Sequence, residues 1–118
     1  MAGRNVTYLS EANMITCVLQ TGLAEDVLDA AKNCGAQGAT ISYGRGTGIR
    51  ERMGLLGVTI DEQKEVIRII VSEEQADRVF EAMYLAGGLD TLGKGIMFMT
   101  KLDRVATYIP ESVLKEIA

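Results

Sequence analysis

The stretch Val66-Ile67-Arg68-Ile69-Ile70-Val71-Ser72-Glu73-Glu74-Gln75-Ala76-Asp77-Arg78-Val79-Phe80-Glu81-Ala82-Met83 changes its hydrophobic period at Ser72. Ahead of Ser72 lies a run rich in β-branched residues, which suits a half-buried strand. Beyond it Ala76, Val79, Phe80 and Met83 recur at helical spacing. Ser72 with Gln75 three places on is a capping-box pattern that opens a helix. Gly87 or Gly88 ends that helix, and residues 96–100 return as a strand. The same order stands upstream at a constant offset of 52 positions, Val27 answering Val79. Residues 14–20 form a short apolar run, Ala24, Val27, Leu28 and Ala31 a helical stripe, and residues 39–43 a second strand. Gly35 stops the first helix in the manner of a C-cap.

A β-α-β unit used twice predicts an α+β fold, a ferredoxin-like βαββαβ plait with both helices on one face of an antiparallel sheet. The bare face of such a sheet must be covered, and association of copies covers it. The 118 residues make one domain, 1–118. Within it, residues 1–13 read as an N-terminal extension whose Val6–Ser10 part suits an added edge strand. Residues 44–63 read as a long hairpin loop, and 87–95 as a glycine turn. Residues 101–108, with alternating charge, read as the continuation of the last strand, and residues 109–114 as a short terminal helix with Pro110 near its first turn.

Composition narrows the function. Twelve basic and 16 acidic residues leave a net charge of −4, against a protein that coats nucleic acid. No histidine is present, so the commonest general base and metal ligand is missing. Aromatics are 5%, too few for base-stacking platforms. Two cysteines make neither a disulfide framework nor a four-cysteine zinc site, and fit a reducing cytoplasm. No run of about 20 apolar residues predicts a membrane span. Cys17 reads as inert core. Asp61, Glu62 and Glu65 gather in a polar stretch expected to be solvated. Neither an acid/base pair nor metal-ligand spacing emerges, so the chain reads as no enzyme.

Two glycine-rich stretches carry the chemistry that remains. Gly44-Arg45-Gly46-Thr47-Gly48-Ile49-Arg50-Glu51-Arg52 combines close backbone approach with guanidinium forks that suit phosphate or carboxylate. Gly87-Gly88-Leu89-Asp90-Thr91-Leu92-Gly93-Lys94-Gly95 joins the second helix to its returning strand and is several residues longer than its counterpart after the first helix. Successive amides in such a turn form an anion nest, to which Lys94 adds a point charge.

The doubled unit, the hairpin Gly38-Ala39-Thr40-Ile41-Ser42-Tyr43-Gly44-Arg45-Gly46-Thr47-Gly48, the strand 66–71 and the turn Leu92-Gly93-Lys94-Gly95-Ile96-Met97-Phe98 resemble the PII signalling proteins, most of all their divergent PII-like branch. The resemblance covers about Met14 to Tyr108. It implies a cytoplasmic homotrimer that binds an adenine nucleotide (ADP, ATP or AMP) or a related small anion in each intersubunit cleft. It implies a non-catalytic sensor, with no obligatory cofactor, that regulates a partner protein, a transporter or an enzyme, through a mobile loop. By position, Thr40 and Ile70 would lie near the adenine. Arg45, Gly46, Thr47, Gly48 and Arg50 would form the base of the family's T-loop. Gly87, Gly88, Leu92, Gly93, Lys94 and Gly95 would line its B-loop and hold phosphates.

Four departures bear on the ligand. Where the family reads Gly-Asp-Gly-Lys, this chain has Gly93-Lys94-Gly95-Ile96. Two phosphate-binding arginines fall on Thr107 and Ile109, which leaves Arg104 or a hairpin arginine to compensate. Arg50 stands where a glutamine helps bind Mg-ATP and 2-oxoglutarate. The uridylylated tyrosine is missing, since no Tyr lies between Tyr43 and Tyr84. An alternative with the same plait and trimer is a structural or metal-linked protein of the CutA type, with no nucleotide site.

Overall fold

The computed structural model of the chain describes residues 6, 8–46, 62–91 and 93–107. Its elements are β1 (Tyr8–Leu9), β2 (Ala12–Gln20), α1 (Ala24–Asn33), β3 (Thr40–Gly46), β4 (Glu62–Ser72), α2 (Glu73–Ala86), β5 (Gly95–Leu102) and β6 (Val105–Ala106). Four strands make one sheet in the order β3-β4-β2-β5, every neighbour antiparallel. This is an α+β sandwich of two β-α-β units. The predicted terminal helix at 109–114 lies outside the described residues.

Alternation along the strands decides which face the helices cover. Ile15, Cys17 and Leu19 of β2 and Ile67, Ile69 and Val71 of β4 point to one side and are buried. Ala24, Val27 and Ala31 of α1 and Ala76, Val79 and Met83 of α2 close over them in a single core cluster. The helix-free face carries Met14, Thr16 and Val18 of β2, Arg68 and Ile70 of β4, and Ile96 and Phe98 of β5, as the register requires. Three of its apolar side chains remain about half exposed: Ile70 at 50%, Ile96 at 54% and Phe98 at 49%.

The helix starts differ in origin. The α2 cap is the one that the sequence pattern predicts: Ser72 Oγ accepts from Gln75 N–H at 3.3 Å. The α1 N-cap is Leu23, which has no side-chain acceptor to offer. The C-terminus of α1 is held by α2. Arg78 Nη2 donates to Cys34 O at 3.1 Å, and Gln75 Nε2 to Gly35 O at 3.4 Å.

The ends of the main sheet depart from the sequence reading. The strand expected over 101–108 stops at Leu102, resumes at Val105 and leaves the sheet. Leu102 is paired with Ala12, the first residue of β2. Just before it, Glu11 has φ +58, a left-handed bend that ends the ladder. Past that bend the N-terminal strand pairs with β6 in a two-stranded ribbon of its own, not with an edge of the main sheet. Ala12 and Asn13, placed in the extension by sequence, belong to β2.

Cys17 is fully buried in the core, and burial pushes its thiol from the ordinary 9.0 up to about 12. The unfolded chain therefore ionises this thiol first as pH rises. Stability from the buried neutral thiol is whole below pH 9 and declines from there toward pH 12. Between pH 8 and 10 the decline is on the order of 1 kcal/mol. Urea unfolding at both pH values should show that extra loss in the wild type relative to Cys17→Ala. Parallel losses would show that Cys17 ionises alike in both states.

Candidate functional site

The glycine turn begins as α2 runs out. Gly87 N–H donates to Met83 O at 3.0 Å and Leu89 N–H to Tyr84 O at 3.1 Å, the closing bonds of a helix end. Gly88, at φ +65, turns the chain, and its carbonyl accepts from both the amide (2.9 Å) and the hydroxyl (2.5 Å) of Thr91. Gly93, at φ +81, turns it again toward β5. Among the described residues the amides of Gly93 and Lys94 have no acceptor, while Lys94 O accepts from Gln20 N–H at 3.1 Å. Two N–H groups with no acceptor among the described residues and one lysine thus meet at the head of β5, a donor set that suits an oxyanion.

Close packing fixes where this turn sits. A side chain at Gly95 would strike the carbonyl oxygen of Val18, with Leu19 Cα and Leu89 Cδ2 each 3.2 Å away. Gly87 is buried, and a Cβ there would lie 3.1 Å from Val27 Cγ2 and 3.4 Å from Leu19 Cδ2. Its place is against the core, whereas Gly88, Gly93 and Lys94 reach solvent. Next to the turn, Phe80, Tyr84, Leu89, Ile96 and Met97 line an apolar recess of about 260 Å³.

The other predicted site residues lie elsewhere in the protomer. Thr40 opens β3 opposite Arg68, and Ile70 follows two places on along the same face of β4. The strand order puts β2 between β4 and β5, so about 9.5 Å separates Ile70's strand from the glycine turn's strand. Thr40 stands on the edge strand β3, across the whole sheet from β5. Arg45 and Gly46 pair through their backbone with Gln63 and Glu62 at the end of β3. Thr47, Gly48, Arg50 and Leu92 lie outside the described residues. Arg104 stands beyond the far end of β5, about 25 Å of strand away from the turn. Its guanidinium sits 5.2 Å from the ring centroid of Tyr8, a cation–π contact that closes the β1–β6 ribbon.

Three residues to which sequence reading gave no part in the site, Glu65, Thr21 and Gln20, hold the turn and the hairpin strand together. Glu65, expected to be solvated, is half-buried. Its Oε1 accepts from the amides of Gly22, Leu23 (3.1 Å) and Ala24 (3.4 Å), supplying the α1 cap that Leu23 lacks. Thr21 Oγ1 donates to Gln63 O at 2.8 Å. Gln20 bonds Lys94 as described. No local pattern could have revealed the Glu65 contact, which spans 42 residues of sequence. Among the described residues, no group of three or more His, Cys, Asp or Glu side chains is placed to hold a metal ion, and no helix is long and apolar enough to cross a membrane.

An antiparallel α+β sandwich built from a doubled β-α-β unit, with a donor-rich glycine turn at the head of an edge strand, defines the class. The family model of nitrogen regulatory protein P-II matches residues 12–111, and the chain belongs to that family. No sequence among the curated proteins matches it. Among solved structures, Arabidopsis thaliana PII bound to citrate is similar, with a TM-score of 0.60 and 19% identity over 80% of this chain and 79% of that one. At that identity the likeness shows the fold alone.

Proposed function

We propose that the protein is a cytoplasmic, non-catalytic trimeric sensor that binds an adenine nucleotide between protomers and regulates a partner protein through the hairpin at 44–63. The observation that carries this reading is the glycine turn, where the amides of Gly93 and Lys94, with no acceptor among the described residues, stand at the lysine's own backbone beside an apolar recess. Amides and ammonium suit phosphate, and an apolar wall suits a base. Family membership supports the regulatory role. The citrate bound by the Arabidopsis protein supports an anionic effector in a protein of this fold.

The two sheet edges support a ring of copies. Thr40 lies on edge β3 and the glycine turn heads edge β5, so one protomer cannot bring them together. Head-to-tail contact sets the β3 edge of one copy beside the β5 edge of the next, and a closed ring of three repeats that junction. The half-exposed Ile70, Ile96 and Phe98 then face other copies instead of water.

Calorimetry with ATP, ADP, AMP and adenosine tests the ligand. Binding of at least one nucleotide below millimolar concentration is expected, and no binding at that concentration sinks the reading. Lys94→Ala should weaken ADP about tenfold or more, the worth of a charge-assisted hydrogen bond, and leave adenosine within about twofold. Equal losses for both would remove Lys94 from the phosphate site.

A further inference from the structure

We propose that the turn Gln20–Ala24 couples the glycine turn to strand β4, and that Glu65 is the positioning residue that sets it. This rests on the sensor reading for its purpose, but on hydrogen bonds alone for its geometry. Three segments distant in sequence meet at these five residues. Gln20 N–H holds Lys94 O, so the glycine turn hangs from the end of β2. Thr21 Oγ1 holds Gln63 O, and the Glu65 carboxylate gathers the amides of Gly22, Leu23 and Ala24. Gln63 and Glu65 lie near the start of β4, the strand that follows the hairpin. Leu23 N–H also donates to Gln20 O at 3.4 Å, which closes the turn on itself.

The chemistry of Glu65 makes it the control point. One carboxylate oxygen is shared by three amides at the positive end of α1, where the helix dipole favours negative charge. Without it, Gly22 and Ala24 lose their acceptor, Leu23 keeps only its bond to Gln20 O, and the turn that carries Gln20 is left with the Thr21 hydroxyl as its side-chain tie to β4. The amide of Gln20 and the carbonyl of Lys94 then shift relative to one another. An effector that draws the amides of Gly93 and Lys94 toward itself pulls on the same chain of bonds from the other end. Coupling of this kind is reciprocal, so whatever displaces β4 near Glu65 alters the glycine turn by an equal free energy.

Hydrogen exchange followed by NMR on the whole chain tests this in two stages. The first needs no ligand. Glu65→Ala should speed exchange about tenfold at Gly22, Leu23 and Ala24, the effect of losing a cap acceptor. It should also speed exchange of the Gln20 amide and shift the resonances of Gly93, Lys94 and Gly95, beyond any change seen at Val79 and Met83 in the core. Glu65→Gln keeps the size and a neutral acceptor, and should restore part of both effects. A change confined to residues 22–24, or one matched by the core amides, overturns the coupling. The second stage adds ADP to the wild type. Shifts at Gly93 and Lys94 accompanied by shifts at Gly22–Ala24 and Glu65 support the proposal; shifts at the turn alone overturn it. If ADP does not bind, the nucleotide reading fails while the first stage still decides the coupling.

Discussion

Gly95→Ala should destabilise the protein by about 3 kcal/mol or more, the upper end of what an added methyl costs where a backbone atom blocks it. Gly95 opens β5 at φ +157 and pairs with Leu19, so its α-carbon lies flat against β2. The added methyl would meet the Val18 carbonyl oxygen, a backbone atom that cannot swing aside as a side chain does. Relief requires β5 to lift from β2 at the point where the glycine turn enters the sheet. The loss is large against the total stability of about 5–15 kcal/mol common to small domains. It corresponds to a fall in melting temperature of roughly 15 °C. Two other glycines calibrate the series. Gly87→Ala, which must displace the flexible ends of Val27 and Leu19, should cost about 1–2 kcal/mol. Gly38→Ala has open space around it and should change stability by less than about 0.5 kcal/mol. Thermal and urea unfolding of the three variants check the ranking. A Gly95→Ala protein within 1 kcal/mol of wild type would show that the turn and β5 are not pressed together.

That series also marks the boundary of what a single sequence reveals. The capping box at Ser72–Gln75 was legible because both partners lie within one turn of helix, and the alternation of residues 66–71 because its period is local. The doubling of the β-α-β unit showed through an offset of 52 positions that preserves type at Ile15 and Ile67, Ala24 and Ala76, and Val27 and Val79. The antiparallel sheet with both helices on one face followed from the doubling. The needs of Gly87 and Gly95 were not legible, since both glycines read alike as turn residues. One proves to be pressed against the core and the other against a neighbouring strand. Glu65 read as one of several acids in a polar stretch; only the antiparallel register of β2 and β4, which pairs Leu19 with Glu65, carries it to the start of α1. Arg104 shows the converse. Its charge suggested an anion contact; within the protomer β6 pairs with β1 in a ribbon apart from the main sheet, and the guanidinium sits over Tyr8. The glycine-and-lysine composition of the turn was evident, whereas its free amides depend on which carbonyls Gly88, Leu89 and Thr91 satisfy, and that is a property of the folded turn.

Replacing Phe98 with Asp, alone and together with Ile70→Asp, should dissolve the proposed trimer without unfolding the protomer. Both side chains lie on the helix-free face, half exposed in the single chain, so a carboxylate at either place remains solvated in the monomer. In the proposed assembly the same carboxylate would enter the contact between copies. Each protomer forfeits about 1 kcal/mol of apolar burial per residue, since half of each side chain is already buried in the single chain, before any cost of desolvating the charge. Because the loss recurs in every protomer, the trimerisation constant should fall about a thousandfold or more. Sedimentation velocity at micromolar concentration should then show a trimer for the wild type and a monomer for the double variant, with unchanged far-ultraviolet circular dichroism. Nucleotide binding should disappear together with the trimer if the proposed site joins the two, since Thr40 and the glycine turn lie at opposite edges of one sheet. A variant that stays trimeric would move the interface off this face. A monomeric variant that binds ADP as tightly as wild type would confine the whole site to the glycine turn and its apolar recess, and the ring would have no part in binding.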